Sequence, residues 1–374
     1  MLAFSIVIPN FNQSHFLPFA LESLRYQSAP FRLAVMDGGS TDSFNEVIQE
    51  YSDIITYLRS VPDEGQAAAI RDGKDRVSGD IVAWLNADDY YFPGILDRVA
   101  ACFEKDPELD IVYGDAIHVT PEGFFLSYFP PIQEFNAKDL TRTCYICQPA
   151  CFVRRSAYER VGGIDPRLQY TMDWDLWCRL SLAGAKFKYI HEVSAAVRYY
   201  SETKTLSGGK RRYKEIYRIE QKYGKRVLPL SCLGSYYYGL TFKRKKTIAE
   251  QISFHLLSLL RRFKKRVYKR RSLRNGACET NYGFHRWEPV VEGCGTIHLP
   301  WYDKREWKRL CLQVEPNDKI YRITINDIHT YIVLAKEGLL FVDMPLVEGP
   351  CRKISIVCLT SHQWRLSGFS FELT

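Results

Sequence analysis

The sequence predicts an α/β fold. A parallel sheet with helices on both faces is followed by a basic helical segment and an antiparallel β-sandwich-like unit. Three observations carry the prediction. Apolar runs of strand length alternate with stretches of helix length from Phe4 to Tyr113, the pattern of repeated βα units. Beyond Asn275 the apolar residues recur with period two, as in half-buried strands. Between the two, Lys243–Arg274 carries 13 basic residues and one acidic residue, Glu250.

Phe4–Pro9 (FSIVIP) is apolar almost throughout, as a strand covered on both faces must be. Ser14 is placed to cap a helix reaching Gln27. Phe31–Met36 is the next strand, Ser43 opens a helix to Tyr51, and Ile54–Arg59 is strand again. Gln66–Val77 reads as helix, Asp80–Leu85 as strand, and Pro93–Glu104 as a helix opened by its proline. Asp110–Tyr113 is a fifth strand and Ala116–Tyr128 a hairpin. Arg155–Val161 and Trp174–Ala183 are helices, Phe187–Ile190 is a strand, and 210–225 is a charged helix. Farther on, Leu310, Leu312 and Val314 alternate with Arg309, Cys311 and Gln313, and the same alternation returns around Ile323, Ile356 and Phe371. Short strands of this kind suit an antiparallel sandwich. The expected division is 1–210, 211–275 and 276–374.

The 374 residues are enough for two or three domains, and 46% hydrophobic with 25% charged is ordinary globular usage. Wholesale disorder, collagen and coiled coil are excluded. The net charge of +8 is uneven: outside the basic segment lie 38 basic and 42 acidic residues, so the body is near neutral. Among eleven Cys, Cys144 and Cys147 form one CxxC with Cys151 nearby, but the second pair that a structural zinc would want is missing. No secretory leader precedes Phe4, so a cytoplasmic, reduced chain is expected. Val227–Phe242 is uncharged over 16 residues but broken by Pro229 and Gly234, and no spanning helix is expected.

Ligands of an open α/β sheet bind at the carboxyl ends of its strands. Three polar clusters sit there: Pro9-Asn10-Phe11-Asn12, Asp37-Gly38-Gly39-Ser40-Thr41-Asp42, and Asn86-Ala87-Asp88-Asp89. Neither a GxGxxG turn nor a Walker A loop is present. A nucleotide gripped by carboxylates needs a cation between them, and Mg²⁺ or Mn²⁺ suits oxygen ligands. Taken singly, Asp37-Gly38-Gly39 also reads as an Asx-capped turn. Asp88-Asp89 and Asp173 with Asp175 also read as acids at helix N-termini.

SIVIPNFN (Ser5–Asn12), VMDGGSTD (Val35–Asp42), DEGQAAAIRDG (Asp63–Gly73), WLNADD (Trp84–Asp89) and VGGIDPRLQYTMDWDLWCRL (Val161–Leu180) occur in this order. Together they resemble the inverting family 2 glycosyltransferases of GT-A fold, over roughly residues 1–205. The resemblance implies that Pro9 and Phe11 line a nucleobase pocket, Asp37 reads the base edge and Asp63 is a second nucleotide-pocket acid. Asn86, Asp88 and Asp89 fall at the DXD position, which holds ribose and the metal–diphosphate; its first acid is replaced by Asn86, and the metal contact is shared between Asp88 and Asp89. Asp173 matches the general base and Asp175 is its rival; the family's Glu beside the base is Met172 here. Tyr200 stands where relatives often have His, and Ser201 and Lys204 are candidate diphosphate contacts.

The resemblance further implies a nucleotide-sugar donor, UDP being the commonest in the family with dTDP and GDP left open, and a saccharide or lipid-linked saccharide acceptor in cell-surface polysaccharide synthesis. In the basic segment, Ile248, Ile252, Leu256, Leu259, Phe263 and Val267 recur at helical spacing among Lys and Arg. Such a helix lies on an anionic membrane surface or packs on its own protein. The inner face of the cytoplasmic membrane is the expected location. Nucleic acid is not an expected partner, since no reading module accompanies the charge. Trp287, Trp301, Trp307 and Trp364 are candidate sugar platforms or core residues. The alternatives are a nucleotidyltransferase and a non-catalytic glycan-binding protein with a decayed transferase domain, which Asn86 and Met172 would suit.

Overall fold

The computed structural model describes residues 2–225 except 122, 124, 130, 131 and 201, together with residues 236 and 251 and eight strands between 290 and 373. The basic segment from 252 onward, including Ile252, Leu256, Leu259, Phe263 and Val267, lies outside the described residues, as do Ile248, Trp287, Trp301 and Ser201. Two units divide the chain: Met1–Ala116 with Phe129–Ala277, and Ile117–Tyr128 with Cys278–Thr374.

From the N-terminus the elements run β1 (Phe4–Asn10), α1 (Leu17–Arg25), β2 (Phe31–Asp37), α2 (Phe44–Glu50), β3 (Ile55–Ser60), α3 (Gln66–Arg76), β4 (Ile81–Trp84), β5 (Tyr90–Tyr91) and α4 (Ile95–Lys105). They continue as β6 (Ile111–Val119), β7 (Phe125–Tyr128), α5 (Ala137–Leu140), β8 (Cys151–Arg154), α6 (Arg155–Arg160), α7 (Met172–Leu182), β9 (Phe187–Arg198), α8 (Lys204–Ser207) and α9 (Gly209–Gly224). The expected boundary at 210 falls inside α9.

Alternation along the strands builds two cores. Phe4, Ile6, Ile8, Leu33 and Val35 pack with Leu17 and Leu21 of α1, Phe44 of α2 and Val99 and Phe103 of α4. Their neighbours Val7, Ala34 and Met36 face the other way, onto Ala67 and Ile70 of α3, Trp174 and Trp177 of α7, and Ile216 and Ile219 of α9. A strand flanked by helices on both faces has no polar face, which is why β1 reads as a continuous apolar run.

The sheet is mixed rather than parallel. Its order is β3-β2-β1-β4-β8-β6-β9-β5, with β7 beside β6. β1 is parallel to β2 and β4, and β2 to β3. β8 runs antiparallel to both β4 and β6, and β5 antiparallel to β9. The repeat breaks because the chain leaving β4 does not return beside it; β6 lies one place farther out, and β8 enters the gap from the opposite end. The hairpin expected over 116–128 is present, with Ile117 opposite Tyr128.

Ser14 does not cap α1. The helix starts three residues later, with Phe16 as N-cap and a proline in its first turn, while the Ser14 amide donates to Asp42 Oδ2 at 2.9 Å. α7 starts at Met172 rather than Trp174.

The second unit contains β10 (Val290–Glu292), β11 (Cys294–His298), β12 (Trp307–Glu315), β13 (Ile320–Ile325), β14 (His329–Leu334), β15 (Leu339–Asp343), β16 (Lys353–Cys358) and β17 (Gln363–Leu373). They form two four-stranded sheets, β10-β17-β12-β15 and β11-β16-β13-β14, paired antiparallel throughout. Period-two strands match this pairing, and Ile323 is buried.

Candidate active site

β1, β2 and β4 are parallel and open their carboxyl ends on one edge, where the three polar clusters follow. The centre of that edge is Asp37, fully buried at the end of β2. Its Oδ1 accepts from Asn10 Nδ2 at 2.8 Å and from the Ser40 hydroxyl. Its Oδ2 accepts from the Gly39 amide at 3.1 Å, the Ser40 amide at 2.9 Å and the Ser60 hydroxyl at 2.7 Å. Burial alone would raise this carboxyl; the donors of Ser40, Ser60 and Asn10 overcome it and hold Asp37 below the usual carboxylate range. Both Asp37 oxygens thus accept donors from the chain, and these bonds tie the ends of β1 and β3 to the loop after β2.

What this loop presents is Phe11, whose ring is 61% exposed although it follows a buried strand. A Cβ placed on Gly38 would lie 3.2 Å from Phe11 Cδ2 and 3.5 Å from Asp63 Oδ1, so the backbone at Gly38 forms a floor between an open aromatic face and a carboxylate. Asp63 Oδ1 accepts the Gly65 amide at 2.8 Å, and its Oδ2 meets Arg59 at 3.3 Å. Pro9 is buried within β1, opposite Met36 of β2.

After β4 the chain passes through Asn86, Asp88 and Asp89. Asn86 Oδ1 takes Gln66 Nε2 at 2.6 Å, and its Nδ2 donates to Asp89 Oδ2 at 2.8 Å and Gln148 Oε1 at 3.2 Å. Asn86 thus ties α3, β4 and the approach to β8 together. Asp89 is nearly closed off and also accepts the Arg198 amide at 3.2 Å. Asp88 is half-buried and takes the Tyr200 hydroxyl at 2.9 Å, which in turn accepts from Gln13 Nε2 at 3.0 Å. Burial raises both carboxyls, and Asp88 pushes Asp89 higher still. Two adjacent carboxylates that burial and mutual repulsion drive toward protonation fit a divalent cation, with Asp88 the more open of the two. Among the described residues no group of three or more His, Cys, Asp or Glu is arranged around a metal. A cation here would rely on few protein ligands and on donor phosphate oxygens, as Mg²⁺ sites often do.

Asp173 lies in the first turn of α7, half-buried. Desolvation raises its carboxyl to about 6, against the bond from the Trp174 amide and the charge of Arg212. Asp175 is its opposite. It is 1% exposed, binds Arg179 Nε at 2.7 Å, Lys222 Nζ at 3.0 Å and the Tyr223 hydroxyl at 2.6 Å, and is held below the usual range despite its burial. A carboxylate locked by three donors is no base, so the structure separates the two acids as their helical spacing does. Burial pushes the Cys147 thiol well up, and the charges of Asp89 and Asp173 both add to the rise. Cys144 and Cys151 are likewise protonated by burial. Cys147 and Cys151 are buried in the two cores.

Three contributors escaped sequence reasoning. Arg198 is buried among the rings of Phe16, Phe19 and Tyr90, at 4.7, 3.8 and 5.5 Å from their centroids, and donates to the Asp88 carbonyl at 2.7 Å. Gln148 donates to the Trp84 carbonyl at 2.6 Å. Glu215 of α9 binds the loop before Asp173. Only Arg198 left a signal, a cation closing the apolar run Val193–Val197 at the end of β9. Lys204 reaches the Gln169 carbonyl at 3.4 Å and is influenced by Glu215 and Asp63.

A mixed sheet between two helical layers, with carboxylates where its parallel strands end, is consistent with the GT-A fold. The family model described as glycosyl transferase family 2 matches residues 5–162. A PGL/p-HBAD biosynthesis glycosyltransferase of Mycobacterium bovis (strain BCG / Pasteur 1173P2) is 31% identical over 213 residues, covering 54% of this chain and 78% of that protein. The chondroitin synthase of Pasteurella multocida (strain Pm70) is 26% identical over 192 residues, covering 50% of this chain and 20% of that protein. In structure, S. aureus TarS 1–349 in complex with UDP-GlcNAc is similar with a TM-score of 0.51 at 16% identity, covering 68% of this chain and 79% of that one. The chain belongs to glycosyl transferase family 2 and is a glycosyltransferase.

Asp37→Asn is expected to destabilise the protein at pH 7 by roughly 2–3 kcal/mol, the range for hydrogen bonds to a charged group. Because the folded carboxyl is depressed, its contribution is present above the unfolded value and lost as pH falls through the folded one. The gap in melting temperature between wild type and variant should therefore close on acidification below about pH 4. A gap that stays constant from pH 7 to pH 3 would contradict this account of Asp37.

Proposed function

We propose that the chain is a cation-assisted inverting glycosyltransferase, with Asp173 as general base. It would transfer a sugar from a nucleotide-sugar, UDP being the expected nucleotide, to a saccharide or lipid-linked saccharide of the cell surface. The observation that carries the reading is Asp173 itself: a half-buried carboxyl in the first turn of α7, raised to about 6 by desolvation. A base is most effective when its pKa lies near the working pH. Phe11, with Gly38 and Asp63 beside it, supplies an open aromatic face suited to a base; Pro9 would line the same pocket, Asp37 would read the base edge and Asp63 would be a second pocket acid. Asn86 would meet ribose, and Asp88 with Asp89 would hold Mn²⁺ or Mg²⁺ against the diphosphate. A cation held there neutralises charge on the departing diphosphate.

Asp173 then takes the proton of the acceptor hydroxyl as that oxygen bonds to the anomeric carbon. The bond from the anomeric carbon to the diphosphate oxygen breaks on the opposite face, and its electron pair leaves with the nucleoside diphosphate. The new glycosidic bond has inverted configuration. Met172 leaves Asp173 without a second carboxylate beside it, so one group carries the proton. Family membership sets aside the nucleotidyltransferase alternative. Residues 276–374 are proposed as a sandwich-like accessory module and 211–275 as a basic segment at the membrane surface. Among the described residues no helix is long and apolar enough to cross a membrane.

Asp173→Asn is expected to lower turnover by about 10²–10⁴-fold while leaving UDP affinity nearly intact. The rate should rise with pH through about 6 as the base ionises. Stability runs the other way: the raised carboxyl favours the folded state below its unfolded value, and that contribution is lost as pH rises through about 6. Asp173→Asn should therefore melt higher than wild type at pH 8 and lose that advantage near pH 4. UDP release from a panel of UDP-sugars, together with melting scans, checks both; full turnover in the variant would move the base elsewhere.

UDP binding measured by calorimetry is expected to weaken in EDTA and to recover with MnCl₂, and Asp88→Ala should reproduce the loss. Binding indifferent to both removes the cation from the reading.

The protein is expected to float with anionic liposomes at low salt and to be released near 1 M, where the Debye length shrinks to about 3 Å. Replacing Arg261, Arg262, Lys264, Lys265 and Arg266 by Gln should release it at low salt too. No flotation under any condition would leave the basic segment without a membrane role.

A further inference from the structure

We infer that α9 is a splint for the catalytic base and that Glu215 is its positioning residue; the inference rests on the reading of Asp173 as that base. Thr171 is the N-cap of α7, yet its side chain does not cap the helix. Glu215 reaches across from α9 instead. It accepts the amides of Gln169 at 3.1 Å, Tyr170 at 2.8 Å and Thr171 at 3.2 Å, and the Thr171 hydroxyl at 3.2 Å. Three consecutive amides converging on one anion form an anion-binding nest. Here the anion is supplied by the chain itself, two residues ahead of Asp173.

Two further contacts fix the same helix pair. Lys222 and Tyr223 hold Asp175, the buried acid one turn into α7. Glu215, Ile219 and Lys222 recur at helical spacing, so one face of α9 carries the nest anion, a buried apolar residue and the Asp175 partner. At the start of α9, a Cβ on Gly208 would lie 2.6 Å from Tyr170 Cε1, so the backbone itself packs on the loop that Glu215 holds. Asp173, by contrast, takes the Trp174 amide at 2.8 Å, a bond inside its own turn. Its placement is that of the turn, and the turn is placed by α9. The groups that act electrostatically with the Asp173 carboxyl are the thiols of Cys144 and Cys147 from the preceding loop, Cys151 of β8, Cys178 of α7, and the guanidinium of Arg212, also on α9. Loss of the Glu215 anchor lets this turn move away from its thiol wall and toward water.

The test uses the full chain with Glu215→Ala, Glu215→Gln and Asp173→Asn. It reads UDP release from UDP-GlcNAc, UDP-glucose and UDP-galactose with MnCl₂ over pH 5–8, UDP affinity by calorimetry, and melting temperature. Glu215→Ala is expected to lower kcat about 10–100-fold through misplacement of the base, with the UDP Kd within about threefold. Its acid limb should move below about 6, toward ordinary carboxylates, as water reaches Asp173. Glu215→Gln keeps one acceptor oxygen and should lose less. A purely structural strut would lower the melting temperature and leave the acid limb in place; that result overturns the inference. So does wild-type kcat in both Glu215 variants when Asp173→Asn is inactive. An active Asp173→Asn, or a wild type that releases no UDP from any of the three donors, overturns the base reading and the splint with it. If Glu215→Ala does not fold, Glu215→Gln decides by the same criteria: reduced kcat with unchanged UDP affinity supports the inference, and unchanged kcat overturns it.

Discussion

Burying a carboxylate at the carboxyl end of β2 obliges the chain to surround it with donors, and the donor half of the site is organised around that obligation. An unpaired buried charge is costly, so Asp37 must collect amides and hydroxyls from three segments. Asn10 comes from the end of β1, Gly39 and Ser40 from the following loop, and Ser60 from the end of β3. Asn12 then locks onto the same loop, its amide donating to Ser40 Oγ at 2.7 Å and its Oδ1 accepting the Thr41 amide at 2.9 Å. It does so at a φ of 51°, a strained value for a residue other than glycine. Phe11 stands between these two anchored residues, which is why an aromatic ring can stay open to solvent without collapsing onto the protein.

The acceptor half has a different source of order. Its proposed base sits on a helix rather than at a strand end, and the segment from Gly162 to Thr171 that delivers the chain to α7 contains no regular element. Rigid support therefore arrives from outside, through α9. Arg198 does the corresponding work between the halves. Its guanidinium is packed among three aromatic rings and bonds the Asp88 carbonyl, so the carboxylate pair is set by the end of β9 as well as by β4. Both halves thus rely on charged groups whose partners lie far away in sequence.

That distance explains what was legible in the sequence. β1, β2 and α3 announced themselves because their signals are local: an apolar run, a period, a flanking loop. The five motifs were legible for the same reason, each being a short segment at a strand or helix end. Ser14 misled because a serine before an apolar stretch has the composition of a cap, while Pro18 and the pull of Asp42 on the Ser14 amide decide the start of α1. The strand directions after β4 were not legible, since nothing local to Cys151–Arg154 says from which end β8 enters the sheet. Asp37 shows the limit most clearly. The motif marks the residue as important, but only the positions of Ser40 and Ser60 reveal which donors its oxygens accept.

Met172 and Asp173 join fold and chemistry in one step. A carboxylate at 172 would add a like charge next to the base. Methionine removes that charge and contributes apolar surface, being buried in the same cluster as Trp174 and Trp177. The Asp173 carboxyl, the proposed base, is then raised by desolvation, the first cause of its shift, rather than by repulsion from a neighbour. A desolvated carboxylate holds its proton affinity without the coupled titration that a pair of acids would show. The departure from the family pattern at 172 is therefore compatible with a working base, because the apolar core beneath α7 already supplies what proton abstraction at neutral pH requires.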